Sequence, residues 1–110
     1  MPVGRRIWHD ERIDPHEMLR LRDMLDVAGV AYEKHDGYLD YCGAPSWRTF
    51  STDFEAGEDG CVAGFSCVLH AYSYGGDAGC LELWAAGMPE PDGWLSADNV
   101  MDRLRECGIA

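Results

Sequence analysis

Residues 61–74 read Cys-Val-Ala-Gly-Phe-Ser-Cys-Val-Leu-His-Ala-Tyr-Ser-Tyr, and this stretch decides the class of fold. Alternate positions, beginning at Cys61, are mostly apolar, whereas the positions between them mix apolar, polar and aromatic side chains. A two-residue period is typical of a β-strand that buries one face against a core. The stretch would extend about 46 Å as one strand, longer than strands usually are, so we expect a bend or bulge near Gly64.

Strand patterns lie on both sides of this stretch and are separated by turn residues. The expected strands cover residues 30–35, 38–42, 47–54, 61–74 and 80–85. Asp36-Gly37 predicts a hairpin turn because both residue types tolerate a positive φ. Glu58-Asp59-Gly60 predicts another turn, and residues 87–95, which contain two prolines, predict a loop. Hairpin-type connections indicate an antiparallel sheet.

A helix is predicted at each end of the strand region. The first covers residues 15–28, with Asp14 as its cap, Glu17 completing a capping box, and Gly29 ending it. The second is capped by Ser96 and ends at Gly108. Its apolar side is expected to contain Val100, Met101, Leu104 and Cys107. The order α-β-β-β-β-β-α predicts an α+β fold, an antiparallel sheet of four to five strands flanked by an N-terminal and a C-terminal helix.

The length and composition are those of one folded domain. The chain has 110 residues, and 46% of them are hydrophobic, which is enough for one core without staples. We expect a single domain over 1–110, with residues 1–13 as a flexible N-terminal segment. No apolar run approaches the ~20 residues that span a bilayer, and the first residues do not resemble a secretion signal. These features predict a cytoplasmic protein with no membrane partner.

The negative charge is concentrated in the middle of the chain. Residues 35–102 contain twelve carboxylates and one basic residue, Arg48, so they hold the whole formal net charge of −11. Charge of this sign repels nucleic acid, whose phosphates dominate its affinity for proteins. We therefore expect no direct nucleic-acid binding, and a basic protein as the partner.

The densest acidic run is residues 51–61, Ser-Thr-Asp-Phe-Glu-Ala-Gly-Glu-Asp-Gly-Cys. It does not fit a calcium-binding EF-hand, because Gly57 and Glu58 stand where a ligand and the invariant glycine are needed. Three interpretations remain at this point: a solvated turn, a cation site of another kind, and a surface for a basic partner.

Candidate contact residues follow from charge and from aromatic side chains that lie outside the predicted core face. The acidic candidates are Asp36, Asp40, Asp53, Glu55, Glu58, Asp59, Asp98 and Asp102. The aromatic candidates are Tyr72, Tyr74 and Trp94, residue types enriched in binding hot spots. Carboxylates at i and i+2 of a strand lie about 6.6 Å apart, half the linear charge density of one DNA strand. A nucleic-acid mimic therefore needs a second acidic row near the first, which the hairpin around Asp36 or the final helix is expected to supply.

No catalytic residue, cofactor site or metal site is predicted. The four histidines lack zinc-motif spacing, and no phosphate-binding loop or nucleophile motif is present. The five cysteines form no C-x-x-C pair, and we expect free thiols. A Cys61–Cys67 or Cys61–Cys80 disulfide is the alternative.

Residues 19–33, Leu-Arg-Leu-Arg-Asp-Met-Leu-Asp-Val-Ala-Gly-Val-Ala-Tyr-Glu, together with the capped helix in 95–108, resemble the ends of many small phage and prophage proteins of high-GC gut bacteria. That group includes anti-CRISPR inhibitors. The resemblance implies an inhibitor whose partner is a Cas effector subunit in the host cytosol. Two alternatives stay open: a phage structural, assembly or regulatory module whose acidity serves solubility, and a small metal-binding protein or enzyme.

Overall fold

The computed structural model describes residues 13–39 and 45–110. The elements are helix α1 (His16–Ala28), strands β1 (Glu33–Leu39), β2 (Pro45–Phe50), β3 (Glu55–Gly57), β4 (Gly60–Ala63) and β5 (Phe65–Leu69), a 3-10 turn (Gly76–Ala78), strands β6 (Leu81–Ala85) and β7 (Asp92–Leu95), and helix α2 (Ala97–Glu106). Within these described residues, no helix is both long enough and apolar enough to cross a membrane.

Five strands form the main sheet, in the order β1-β2-β5-β6-β7, and every neighbouring pair is antiparallel. Strands β3 and β4 form a separate two-stranded ribbon between β2 and β5. The helices lie at the two ends of the element order, so the predicted α+β class with a flanked antiparallel sheet is confirmed.

Both helices pack on one face of the sheet and run in the same direction. The N-terminal ends meet, because the Ala97 N–H donates to Glu17 Oε1 at 2.8 Å. The C-terminal ends, at Gly29 and Gly108, line one common groove at the other end. Between helices and sheet lies a core whose apolar side chains are listed here: Ile13, Met18, Leu21, Leu25, Phe65, Cys67, Leu69, Leu81, Leu83, Ala85, Leu95, Ala97, Val100, Met101 and Leu104. The opposite face of the sheet has no helix of the described residues on it.

At the helix ends, the structure agrees with the roles predicted for Ser96 and Asp14 but not with those predicted for Glu17 and Cys107. Ser96 and Asn99 form a reciprocal capping box, each side chain accepting the other's backbone N–H at 3.1 Å. Asp14 accepts from the His16 N–H at 3.0 Å at the start of α1. The capping-box role predicted for Glu17 is wrong, because its carboxylate bonds Arg20 and the start of α2 instead. Cys107 is also exposed and not part of the core.

The predicted hairpin at Asp36-Gly37 is wrong. These residues lie inside β1, where the pairing with β2 shifts by one residue, and Gly37 adopts a φ of 79°. The positive φ that the sequence offers for a turn serves a β-bulge here. Leu39, the last residue of β1, pairs with Pro45, the first residue of β2. The remainder of the strand predicted at 38–42 lies outside the described residues, as do residues 1–12.

The long strand predicted at 61–74 is two strands joined by a bend. Gly64 separates β4 from β5 with a φ of 66°, so the expected break at this glycine is confirmed. β5 ends at Leu69, and the following residues turn away from the sheet. Residues 92–95, expected to be loop, form β7 at the sheet edge. The turn predicted at Glu58-Asp59-Gly60 is confirmed and closes the ribbon.

Candidate interaction surfaces

The arginines of the described residues are all used inside the molecule. Arg22, 7% exposed, donates to both carboxylate oxygens of Asp36, at 2.6 and 2.9 Å. Arg20 bonds Glu17 and Asp98. Arg103 pairs with Asp92 and Arg105 pairs with Asp102. The fifth, Arg48, lies on the uncovered sheet face, with its guanidinium 4.3 Å from the Phe50 ring centroid and Nε donating to Ser66 Oγ.

The β3–β4 ribbon contrasts with this pattern. We call residues 53–63 the acidic ribbon; its carboxylates are Asp53, Glu55, Glu58 and Asp59. All four side chains are exposed, and none forms a hydrogen bond or ion pair with another described residue. These four carboxylates are therefore neither buried nor neutralised by a described residue, and they lie close together in the sequence on one short ribbon.

The acidic ribbon is held firmly although its acids are free. The Cys61 N–H donates to the Met88 carbonyl at 3.0 Å, and the Gly87 N–H donates back to the Cys61 carbonyl at 2.9 Å. On the side of the main sheet, the Ser51 N–H, just after β2, donates to the carbonyl of Phe65, the first residue of β5. Backbone bonds on both sides fix the direction in which the ribbon projects.

The base of the acidic ribbon, at Asp53, lies near the C-terminal ends of both helices. Asp53 lines a groove of about 560 Å³ together with Gly29 after α1 and Gly108 and Ala110 after α2. Each helix C-terminus carries the equivalent of roughly −0.5 charge, and since the helices are parallel these contributions add. The helix C-termini therefore add to the negative potential of the groove beside Asp53.

The other predicted acids do not join the ribbon as a second row. Asp36 points to the helix side of the sheet, where Arg22 neutralises it. Asp98 and Asp102 lie on α2 and pair with Arg20 and Arg105. Asp40 lies outside the described residues. At Asp53, the ribbon instead adjoins the C-termini of both helices, which a count of the carboxylates along the strands does not include.

The three aromatic candidates lie at the opposite end of β5. Tyr72, Tyr74 and Trp94 are 67%, 60% and 68% exposed. We call them the aromatic patch. The Trp94 N–H donates to the Tyr74 carbonyl at 3.1 Å, so the β5–β6 connection and β7 are joined there. About 17 Å of strand separates this patch from the ribbon, since β5 has five residues.

The uncovered sheet face between these two ends was not predicted as a contact region. The Phe54 ring packs edge-on against Trp84 with centroids 6.2 Å apart and lies 5.6 Å from the Arg48 guanidinium. A small cavity of about 110 Å³ lies beside Trp84 and Val68. Arg48 and Phe50 are two residues apart on β2, and this spacing places them on one face of the sheet. The spacing does not show that both helices pack on the other face.

The four cysteines of the described residues are free thiols. Cys61, Cys67, Cys80 and Cys107 are free, so neither alternative disulfide forms. Burial raises the pKa of the Cys67 thiol far above its ordinary value, and burial also raises the pKa of Cys61. Within residues 13–39 and 45–110, no three His, Cys, Asp or Glu side chains are grouped to hold a metal ion.

No protein-family model, curated protein or solved structure matches the chain.

Proposed function

We propose that this chain is an acidic inhibitor protein that binds a basic, nucleic-acid-handling surface of a host defence complex. The observation that carries the proposal is the acidic ribbon, whose four carboxylates are exposed and unpaired and whose base, at Asp53, lines a groove with the C-termini of two parallel helices. The resemblance to small phage proteins favours a CRISPR effector subunit as the target. In this proposal the ribbon occupies a groove that normally holds nucleic acid.

The internal use of the arginines supports this role. The arginines of the described residues pair with acids outside the ribbon or lie on the uncovered sheet face, so the four clustered acids of the ribbon keep their negative field. Such a field raises the association rate with a basic partner and falls off over a Debye length of about 8 Å at physiological salt. Binding is therefore expected to weaken when salt is added.

The test is inhibition of target-DNA binding by a panel of reconstituted effectors, the multisubunit type I complex and the single-protein type II and type V nucleases. The ribbon variant E55Q/E58Q/D59N removes three unpaired charges. The control variant D23N/E33Q/E106Q removes three exposed carboxylates that form no bond among the described residues, and it has the same net charge.

We expect the wild-type chain and the control variant to block DNA binding by at least one effector. The concentration needed for the same inhibition should be at least about tenfold higher for the ribbon variant. Equal inhibition by both variants would remove the ribbon from the mechanism. Failure of the wild-type chain against the whole panel would remove CRISPR effectors as targets.

A further inference from the structure

Trp94 has a backbone conformation that its side chain disfavours. Its φ is 59°, and it is the single non-glycine residue of the described segments with a positive φ. The pairing of β7 with β6 places three residue steps, Asp92 to Leu95, opposite two, Leu83 to Leu81, so the strand contains a bulge here. Glycine or asparagine is the usual residue at a left-handed position, and a bulky aromatic residue is an outlier.

Burial does not compensate for this conformation. The Trp94 side chain is 68% exposed, whereas the next residue, Leu95, is 6% exposed and belongs to the core. The neighbouring Gly93 is needed for a different reason, because a Cβ there would collide with Tyr74. A strained residue with an exposed ring is more consistent with a role in contact than in stability.

Trp94 packs closely against the β5–β6 connection, and two carboxylates lie on the neighbouring elements. A Cβ on Gly75 would lie 2.9 Å from Trp94 Cα, so the two backbones touch. Glu82 Oε1 accepts the Tyr74 N–H at 2.8 Å, which fixes one carboxylate beside the patch. Asp77 follows Gly75 by two residues, is exposed, and forms no bond with another described residue.

We infer that the aromatic patch binds an arginine-bearing segment of the partner, an inference that rests on the proposed function in taking that partner to be basic. An arginine guanidinium stacks on a tryptophan face and pairs with carboxylates at its edge, and a lysine ammonium satisfies this combination less well. The patch is a second contact, about 17 Å of strand away from the acidic ribbon, and it selects arginine where the ribbon selects positive charge in general.

The experiment measures binding of two capped peptides, acetyl-tetraarginine amide and acetyl-tetralysine amide, to the full chain at low salt. The readout is the indole N–H resonance of Trp94 in a ¹H–¹⁵N spectrum, assigned from its loss in W94N; binding to that variant is followed through its backbone amide resonances. We expect the arginine peptide to bind about two- to fivefold more tightly than the lysine peptide. W94N should lose this preference while keeping its fold, since asparagine accepts the left-handed backbone.

Three further variants separate the contribution of the aromatic patch from that of the acidic ribbon. W94F should retain part of the preference, and D77N should weaken both peptides without changing which is preferred. The ribbon variant should bind both peptides less tightly and keep the preference, so failure of the ribbon proposal is distinguishable from failure of the patch. Equal binding of the two peptides by the wild-type chain, or an unchanged preference in W94N, would overturn the inference.

Discussion

Replacing Asp36 with alanine should lower the stability of the protein, although the sequence indicates Asp36 as an acidic contact residue. Its carboxylate, 29% exposed, accepts two bonds from the buried Arg22 guanidinium. Arg22 keeps two other bonds, to Thr49 Oγ1 at 2.8 Å and to the Arg48 carbonyl at 3.1 Å. The substitution therefore removes two of the four hydrogen bonds that the buried guanidinium donates.

The magnitude follows from this geometry. Breaking a fully buried ion pair costs about 3–5 kcal/mol, and the partial exposure of Asp36 lets water replace some of the lost interaction. We expect D36A to lower the free energy of unfolding by about 2–3 kcal/mol. The assay is urea denaturation followed by circular dichroism, with the midpoint and the slope both fitted.

The matched control is D98A, which removes the exposed partner of Arg20 and should leave the midpoint nearly unchanged. The double variant R22M/D36A should be more stable than the two single effects predict by addition, since each single change leaves the other charge unpaired. A D36A midpoint equal to that of the wild-type chain would refute the reasoning and return Asp36 to the set of free acids.

Three further predictions concern stability and reactivity. Burial opposes the ionisation of Glu17, but bonds from the Ala97 N–H and Arg20 outweigh it and lower its pKa, so its contribution is full above its unfolded pKa of about 4.3 and is lost as pH falls through the folded value. The acid-induced drop in the urea midpoint should therefore be smaller in E17Q, and an unchanged drop would argue against this assignment. Iodoacetamide should label exposed Cys107 in the native protein and reach buried Cys67 after unfolding, as mass spectrometry can show; native labelling of Cys67 would contradict its burial. G64A should cost more than about 2 kcal/mol in a urea titration, because its φ is 66° and the new Cβ would lie 2.7 Å from the Phe54 nitrogen; a smaller loss would mean that this bend is easily rearranged.

The parts of the fold that depend on local chemistry could be predicted from the sequence. Ser96 caps α2 because its oxygen reaches the Asn99 N–H three residues on, and Gly64 breaks the long strand because a positive φ suits glycine. Asp36-Gly37 misleads because the same positive φ serves a turn or a bulge. Pairing with a distant strand decides between them, and no local pattern contains that information.

The candidate surfaces divide in the same way. Exposure of the acidic run and of Tyr72, Tyr74 and Trp94 was predictable, because each lies away from the apolar period. The direction of α1 relative to α2 is a tertiary property, and so the added field of their C-termini was not. The pairing of Asp36 with Arg22 could not be predicted either, because the two residues are fourteen positions apart and lie on different elements.

The most direct measurement of the central claim is the association rate constant with the effector that the inhibition assay identifies, taken at low and at physiological salt. The wild-type chain and D23N/E33Q/E106Q should associate rapidly at low salt and slow markedly as salt rises. E55Q/E58Q/D59N should associate about tenfold more slowly at low salt and depend less on salt. If the two variants associate at the same rate, the negative field of the acidic ribbon does not direct binding, and the claim is contradicted.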